Sequence, residues 1–381
     1  RISYSLYLFH WPLIVFYGLY RETVFGPWEQ AGLLAVGIGL AALSYRFVET
    51  PFRGAHRRSG RPWAETKIAG AALVTGAAAL AVSLTAGLPQ RLSPAAQAVA
   101  AELEAITVNP KGCHRVERLA PFKGGQLCTY AGPDAGPDSR FGYLLWGDSH
   151  ARVMAKGLQQ LTPVPGLVLD VSACPALQGV RRSDQGNATA CDASQARALA
   201  LVRDERIPVV VLASRWATVA SPVPSPGDGL APWHLYDRAN GHELRFADAL
   251  ARTVAQFRDL GARVILVGPV PEAPFDVPKT LMRAVHLQQP MPAIDRASFD
   301  RRQTEVLPVI AAEAKRPGVA VFWPHDRMCD ADTCRVVDGH TPLYADDDHL
   351  SLPGSLEVLP GLADLVLRTV TAARQTAPIT R

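Results

Sequence analysis

Cysteine is absent from the first 90 residues, and charge is scarce there: these positions hold 8 Lys or Arg and 4 Asp or Glu, which leaves 31 of each sign among the 39 basic and 35 acidic residues of the chain. Charged residues make up 19% of the 381, below the roughly 25% usual for soluble proteins. Because the shortfall is concentrated in the first quarter, it points to membrane. The net charge of +4 lies among apolar segments, where basic residues record topology rather than phosphate binding. The chain downstream is neutral, so nucleic acid is excluded as a partner. A hydrophobic content of 48% excludes disorder. No initiator Met, no signal-peptide pattern and no internal repeat is present. The chain is therefore expected to be the C-terminal piece of a longer membrane protein.

What is there begins with long apolar runs. Ile68 to Leu88 is 21 residues without a charge, and as a helix it would span roughly 30 Å of hydrocarbon. Ile2–Tyr20 and Ala31–Val48 are two further spans, with Trp11, Tyr17, Tyr20 and Trp28 near their ends, as interfacial aromatics stand. Between the second and third spans lie Arg53, Arg57, Arg58, Arg61 and Lys67 against Glu65. The positive-inside rule puts this loop in the cytoplasm and everything after Leu88 on the other side.

Cysteine usage agrees with that orientation. All six, at 113, 128, 174, 191, 329 and 334, fall in the exported part. An even count in an oxidising compartment reads as disulfides. Six allow fifteen pairings, and neighbours in sequence give Cys113–Cys128, Cys174–Cys191 and Cys329–Cys334. A zinc site fits poorly, since no C-x-x-C occurs.

After a linker at 89–112 with a short helical pattern in its middle, apolar strands alternate with amphipathic helices. The strands are Tyr143–Gly147, Leu167–Val171, Pro208–Ala213, Arg263–Gly268 and Val319–Phe322. The helices are His150–Leu161, Gln195–Arg203, Leu244–Leu260, Phe299–Ala314 and Ser355–Ala373. Such alternation implies an α/β fold, a parallel sheet covered on both faces. The Pro-rich stretch Ser221–Pro232 reads as a surface loop without a motif.

Two sequence features carry chemistry. The first strand ends in Gly147-Asp148-Ser149-His150 and a helix follows at once, which puts Ser149 at the strand's carboxyl edge beside a helix N-terminus, where open α/β sheets bind ligands. A hydroxyl there can attack a carbonyl while nearby backbone N–H groups receive the oxyanion; the plainer role for Ser149 is a helix N-cap. G-x-S-x-G is not matched, because Ala151 replaces its last Gly. Far downstream stands Asp346-Asp347-Asp348-His349-Leu350-Ser351. Spaced three apart on one turn, Asp346 can accept from Nδ1–H of His349 and leave Nε2 free to take a serine proton. A solvated acidic turn or a calcium loop is the alternative. The spacing singles out Asp346 and leaves Asp347 and Asp348 without a role.

GDS near the start and D-x-x-H-L-S near the end resemble SGNH (GDSL-like) esterases and acyltransferases. That resemblance implies a three-layer α/β/α sandwich with a parallel sheet, here preceded by transmembrane helices. Upstream, Ile2-Ser3-Tyr4-Ser5-Leu6-Tyr7-Leu8-Phe9-His10-Trp11-Pro12 and Arg46-Phe47-Val48-Glu49-Thr50-Pro51-Phe52-Arg53 look like the last two spans of integral-membrane acyltransferase family 3. Bacterial proteins of that family often continue through one extra span into an exported SGNH domain, and they O-acetylate surface glycans such as lipopolysaccharide O-antigen. The implied division is 1–66 for two spans and the cytoplasmic loop, 67–88 for the linking span, 89–112 for the linker and 113–381 for the SGNH domain.

By position, the resemblance makes Ser149 the nucleophile, His349 the base and Asp346 its orienting acid. It also expects a Gly after the second strand and an Asn after the third as oxyanion donors. Here those points read Ser172-Ala173-Cys174-Pro175 and Ser214-Arg215-Trp216, so Ser172 and Arg215 become the candidate replacements, and Ser149's own N–H is expected to serve. No metal and no bound cofactor is implied. The acyl donor, for which acetyl-CoA is one fitting source, falls to membrane spans upstream of this chain. The expected partners are a glycan acceptor, the lipid bilayer and those spans, at the bacterial inner membrane with the C-terminal domain in the periplasm. A glycan O-acetylesterase and a non-catalytic glycan-binding module are the rival readings. His10 reads as a packed neutral imidazole, Glu49 and Arg53 as anchors at the cytoplasmic surface, and His150 as packing at the helix start.

Overall fold

Short runs of Val, Leu and Ile form strands buried on both faces because helices cover both faces of the sheet they make. In a computed structural model of the chain, which describes residues 3–21, 25–50, 62–85, 87–105, 112–130, 140–183, 186–227 and 229–376, that sheet has six strands. They are β1 (Gln126–Cys128), β2 (Tyr143–Gly147), β3 (Gly166–Asp170), β4 (Val209–Ala213), β5 (Arg263–Val267) and β6 (Val319–Phe322), in the order β1-β3-β2-β4-β5-β6. All neighbours are parallel except β1, which runs antiparallel on β3.

The strand alternation sorts the core into two layers. Tyr143, Leu145, Val209, Val211 and Ile265 face one cluster, with Met154, Leu158, Leu362 and Val366 from the helices above. Leu144, Trp146, Val210, Leu212 and Leu266 face the other, with Ala198, Leu201, Leu250 and Phe257 below. Helices α5 (Ser149–Leu161), α10 (Leu352–Val358) and α11 (Pro360–Thr376) supply the first layer, and α6 (Ala188–Asp204), α7 (Phe246–Asp259) and α9 (Leu307–Glu313) the second. The fold is the three-layer α/β/α sandwich. Its strand order reverses at β2, whose neighbours β3 and β4 follow it in sequence on opposite sides. That makes the carboxyl end of β2 the topological switch point.

Each expected strand is found within one residue of its expected ends. The helices differ more. Phe299–Ala314 is broken into Arg296–Arg302 and α9, because Pro308 is tolerated only in the first turn of a new helix. Ser355–Ala373 divides at Pro360 into α10 and α11 for the same reason. Helix α6 starts at Ala188, earlier than its apolar spacing suggests, while α8 (Val277–Leu287) and the three-residue β1 were not expected at all.

The chain divides into two compact units, Arg1–Gln97 and Ala98–Arg381. In the first, α1 (Ser3–Arg21) and α2 (Pro27–Ser44) pair, with Gly37 set against Leu6 and Leu13 and the Ser5 hydroxyl bonded to Glu49. His10 lodges its Nδ1 on the carbonyls of Leu6 and Tyr7, 3.0 and 2.9 Å away, as a packed imidazole does. Among the described residues one helical stretch, Pro27–Glu49, is long and apolar enough to cross a bilayer. The stretch expected as the third span is helical over α3 (Pro62–Leu84), stopping short of Leu88, because Gly87 turns left-handed at φ 83° and caps the Val82 carbonyl. Arg53, Arg57, Arg58 and Arg61 of the basic loop lie outside the described residues. In the linker, α4 (Pro94–Ala105) forms the expected helix.

Candidate active site

Gly147, Asp148 and Ser149 each answer a local demand at the end of β2. A Cβ on Gly147 would collide with the carbonyl of Ala213 on the neighbouring strand, so only glycine fits. Asp148 is the N-cap of α5: one carboxylate oxygen accepts from the N–H of His150 at 2.9 Å and the other from the N–H of Arg215 at 2.9 Å. Capping thus falls to Asp148, and Ser149, the first residue of the helix, is free to point its hydroxyl outward.

The partner comes from a loop 200 residues away. Tyr344 and Leu350 pair across a bridge, and Ala345 donates to the carbonyl of His349 at 2.8 Å, which closes residues 345–349 into a tight turn. Inside it Asp346 Oδ1 accepts from the backbone N–H groups of Asp348 and His349 at 3.0 and 2.8 Å. Its other oxygen is 2.8 Å from His349 Nδ1, and His349 Nε2 is 2.7 Å from Ser149 Oγ. Ser351 fixes the exit of the turn by capping α10 through Gly354 N–H at 2.9 Å and donating to the Pro342 carbonyl at 2.8 Å. Ser149, His349 and Asp346, the three residues named from sequence spacing, thus stand in one hydrogen-bonded series.

Sequence reasoning missed a second layer around that series. Asp348 is 3% exposed; its Oδ1 lies 2.7 Å from His349 Nδ1, and its Oδ2 lies 2.7 Å from Arg215 Nε and 3.5 Å from His150 Nε2. The rings of His150 and His349 pack with centroids 4.9 Å apart. Arg215 continues to Glu272 at 2.8 Å and to Ser225 Oγ at 3.1 Å, and the buried Arg302 approaches the same Glu272 at 3.4 Å and the same Ser225 at 3.0 Å. Arg302 also donates to the carbonyl of Val223. The Pro-rich loop is therefore no bare surface loop: two arginines pin it to the site. No local pattern in the sequence connects Glu272 or Arg302 to this place.

These charges move the titration of the triad. Burial alone would disfavour an imidazolium at His349, but the Asp346 hydrogen bond and the Asp348 carboxylate close beside Nδ1 outweigh burial and lift its pKa to about 10. Burial also opposes charge on the two carboxylates, yet the histidines hold both below the usual aspartate range, Asp348 far below it. Asp347 has no such partner in its favour; burial and the neighbouring Asp348 and Asp346 push it up to about 6. The ligand atoms of His150, Asp348 and His349 lie close together, as do those of the three aspartates, but the Arg215 guanidinium already sits on Asp348 where a cation would have to compete.

The candidate oxyanion residues fall differently from expectation. Ser172 is exposed and faces away: Arg152 bonds its hydroxyl at 2.8 Å and Asn187 its carbonyl at 2.6 Å. Its neighbour Ala173 lines the cleft instead, held left-handed at φ 56°. A left-handed residue is where glycine is ordinarily needed, and here an alanine carries that conformation at the place where the resemblance expects Gly. Among the described residues the N–H groups of Ser149 and Ala173 have no hydrogen-bond acceptor. Arg215 also lines the cleft, with Asp348, Glu272 and Ser225 engaging its guanidinium. The cleft holds about 110 Å³, and Leu230, Ala231, Pro232 and Trp233 are among its walls.

The three disulfides join Cys113 to Cys128, Cys174 to Cys191 and Cys329 to Cys334. The second ties the residue after Ala173 to the first turn of α6 and so anchors the loop that carries Ala173.

A serine hydroxyl bonded to a carboxylate-oriented histidine, at the switch point of a parallel sheet, is the arrangement that acyl-transferring and hydrolytic serine enzymes use. Residues 112–364, about two thirds of the chain, match the family described as SGNH domain (fused to AT3 domains), and the chain belongs to that family. The match leaves residues 1–111 outside it. No curated protein matches the chain. Nine chains of solved structures do. One of these is the periplasmic domain of the lipopolysaccharide acetyltransferase of Salmonella ser. Paratyphi A, 16% identical with a TM-score of 0.43 over 59% of this chain and 83% of that one.

Proposed function

We propose that residues 98–381 form an extracytoplasmic O-acyltransferase domain that moves an acetyl-like group to a hydroxyl of a cell-surface glycan through an acyl-enzyme on Ser149. The observation that carries this reading is the hydrogen-bonded series Ser149–His349–Asp346 facing a cleft of about 110 Å³ in a domain of the family described as fused to AT3 domains. A space of that size suits a short acyl group.

In the first half-reaction Ser149 Oγ bonds to the donor's carbonyl carbon while its proton passes to His349 Nε2. The oxyanion so formed is received by the N–H groups of Ser149 and Ala173, with the Arg215 guanidinium nearby. When the tetrahedral intermediate collapses, the bond to the donor's leaving group breaks, and that group departs with the proton from Nε2. In the second half-reaction a sugar hydroxyl gives its proton to Nε2 and bonds to the acyl carbon. Ser149 is then released and recovers the proton.

AT3-type membrane spans deliver the acyl donor in this reading, with acetyl-CoA as its source. The apolar helices of residues 3–85 lie in the bilayer of a multi-pass inner-membrane protein. The three disulfides support the placement of residues 98–381 in the periplasm.

The test compares acetate released by mild base from the surface polysaccharide of cells that carry the chain with native Ser149 or with Ser149→Ala. Loss of acetate in the variant is the expected result. A rise in acetate would make the enzyme an esterase, and no change would remove the glycan from the account.

A further inference from the structure

Across Trp233 from the nucleophile lies a second and larger hollow of about 580 Å³. Ala231, Pro232 and Trp233 are walls of both spaces, so the two are neighbours with one partition. Leu244, Phe246 and Val309 floor the larger space, while His234, Glu243 and Glu305 stand at its rim. We infer that this groove holds the acceptor glycan, seating uncharged pyranose units beside the one whose hydroxyl enters the Ser149 cleft. The inference rests on the reading of that cleft as a site of acyl transfer to a glycan.

Size separates the roles of the two spaces. Small-molecule sites run to about 300–1,000 Å³, and the cleft at Ser149 falls well below that range while the groove falls inside it. Chemistry agrees with size. A pyranose ring offers apolar C–H faces and a girdle of hydroxyls, which calls for an aromatic and aliphatic wall with polar groups at its edge. Trp233 supplies the aromatic wall and is held in place by the Arg182 guanidinium, 3.8 Å from its ring centroid. His234 and Glu243 pair at 3.0 Å with their side chains 65% and 66% exposed. A pair so exposed adds little to stability, but it presents both donor and acceptor to sugar hydroxyls. Acidic and basic groups, Glu243 and Glu305 with Arg245 and His234, mix at the rim, which suits a neutral chain better than a phosphorylated or strongly acidic one.

Two variants of the full chain test this. The double substitution His234→Ala with Glu243→Ala strips the rim without touching the core, and Ala247→Trp fills the groove. Each is measured for turnover of a chromogenic acetyl ester, which needs no groove, and for base-released acetate on the surface polysaccharide of cells carrying it. The expected result is that acetate falls about tenfold more than ester turnover in both, since a lost binding contact of about 1.4 kcal/mol is a factor of ten. Parallel losses in the two assays, or acetate kept at the native level, would overturn the groove. Ser149→Ala is run alongside: acetate that survives it sinks the transfer reading itself, whereas acetate lost in Ser149→Ala but kept in the groove variants sinks the groove alone.

Discussion

Asp348 Oδ1 lies 2.7 Å from Nδ1 of His349, as near as Asp346 Oδ2 at 2.8 Å, yet among the described residues only the Asp346 contact has the direction of a hydrogen bond. Two carboxylates therefore share one nitrogen and do different things. Asp346 sets the tautomer and orientation of the ring. Asp348, off the bonding axis and braced by Arg215, contributes charge.

That division predicts different pH behaviour for two substitutions. His349 works as a base only when neutral, so kcat/KM for an acetyl ester should fall on the acid side with a midpoint above the ordinary imidazole value of about 6.5, because the two carboxylates raise its pKa. Asp348→Asn removes one of the raising charges and should move that limb down by about 1–2 pH units. Asp346→Asn takes away the other raising contact and should move the limb down as well, but it should in addition lower the plateau, by up to about 10⁴-fold, through loss of the correct tautomer. The full pH profile of each variant is the measurement. A merely structural Asp348 would lower the amplitude and leave the midpoint where it was.

Ala173 gives the second prediction. Alanine held at φ 56° bears roughly 1–2 kcal/mol of steric cost that glycine does not. Ala173→Gly should keep full turnover, with the relief of strain offset in part by a more flexible unfolded chain. Ala173→Val should displace the N–H and lower kcat by about 10²-fold or more, the scale for losing one oxyanion donor, with KM nearly unchanged. Steady-state kinetics on a chromogenic acetyl ester separate the two. Equal turnover in the Gly and Val variants would remove Ala173 from the oxyanion site.

How much of this was legible beforehand follows from range in sequence. Strand ends, the β2–α5 turn and the D-x-x-H spacing are local patterns, and they are enough to name Ser149, Asp346 and His349, which the fold brings into one hydrogen-bonded series. The prolines at 308 and 360 were visible too, but helical spacing continued across both and hid the breaks. Glu272, Arg302, Ser225 and the charge role of Asp348 depend on contacts among distant loops, with Arg215 and Glu272 separated by 57 positions in the sequence. No periodicity or spacing announces such a pair. Ala173 leaves only a faint signal, a small residue just after a strand where the resemblance asks for glycine.

The disulfides are expected to differ in consequence. Cys174–Cys191 closes 17 residues and Cys329–Cys334 only 5, and loop-closure entropy favours the longer. Replacing Cys174 and Cys191 together by alanine should cost about 2–4 kcal/mol and should also lower turnover, because the loop carrying Ala173 loses its tether. Replacing Cys329 and Cys334 should leave turnover close to native. Denaturation midpoints and ester kinetics of the two double variants decide it, and a reversed order in turnover would detach the disulfide from the site.

Ser149 as the point of covalent attachment is the claim on which everything else depends. The full chain is mixed for a few milliseconds with an excess of a chromogenic acetyl ester at a pH above the acid limb, where His349 is neutral and can take the Ser149 proton. The reaction is then quenched in acid and mapped by peptide mass spectrometry. The account predicts one acetyl group on the peptide containing Ser149, absent in Ser149→Ala and strongly reduced in His349→Ala, with the double variant scarcely slower than either single one because serine and histidine act as a unit. An acetyl group found on another residue, or ester turnover that persists at the native rate in Ser149→Ala, would contradict it.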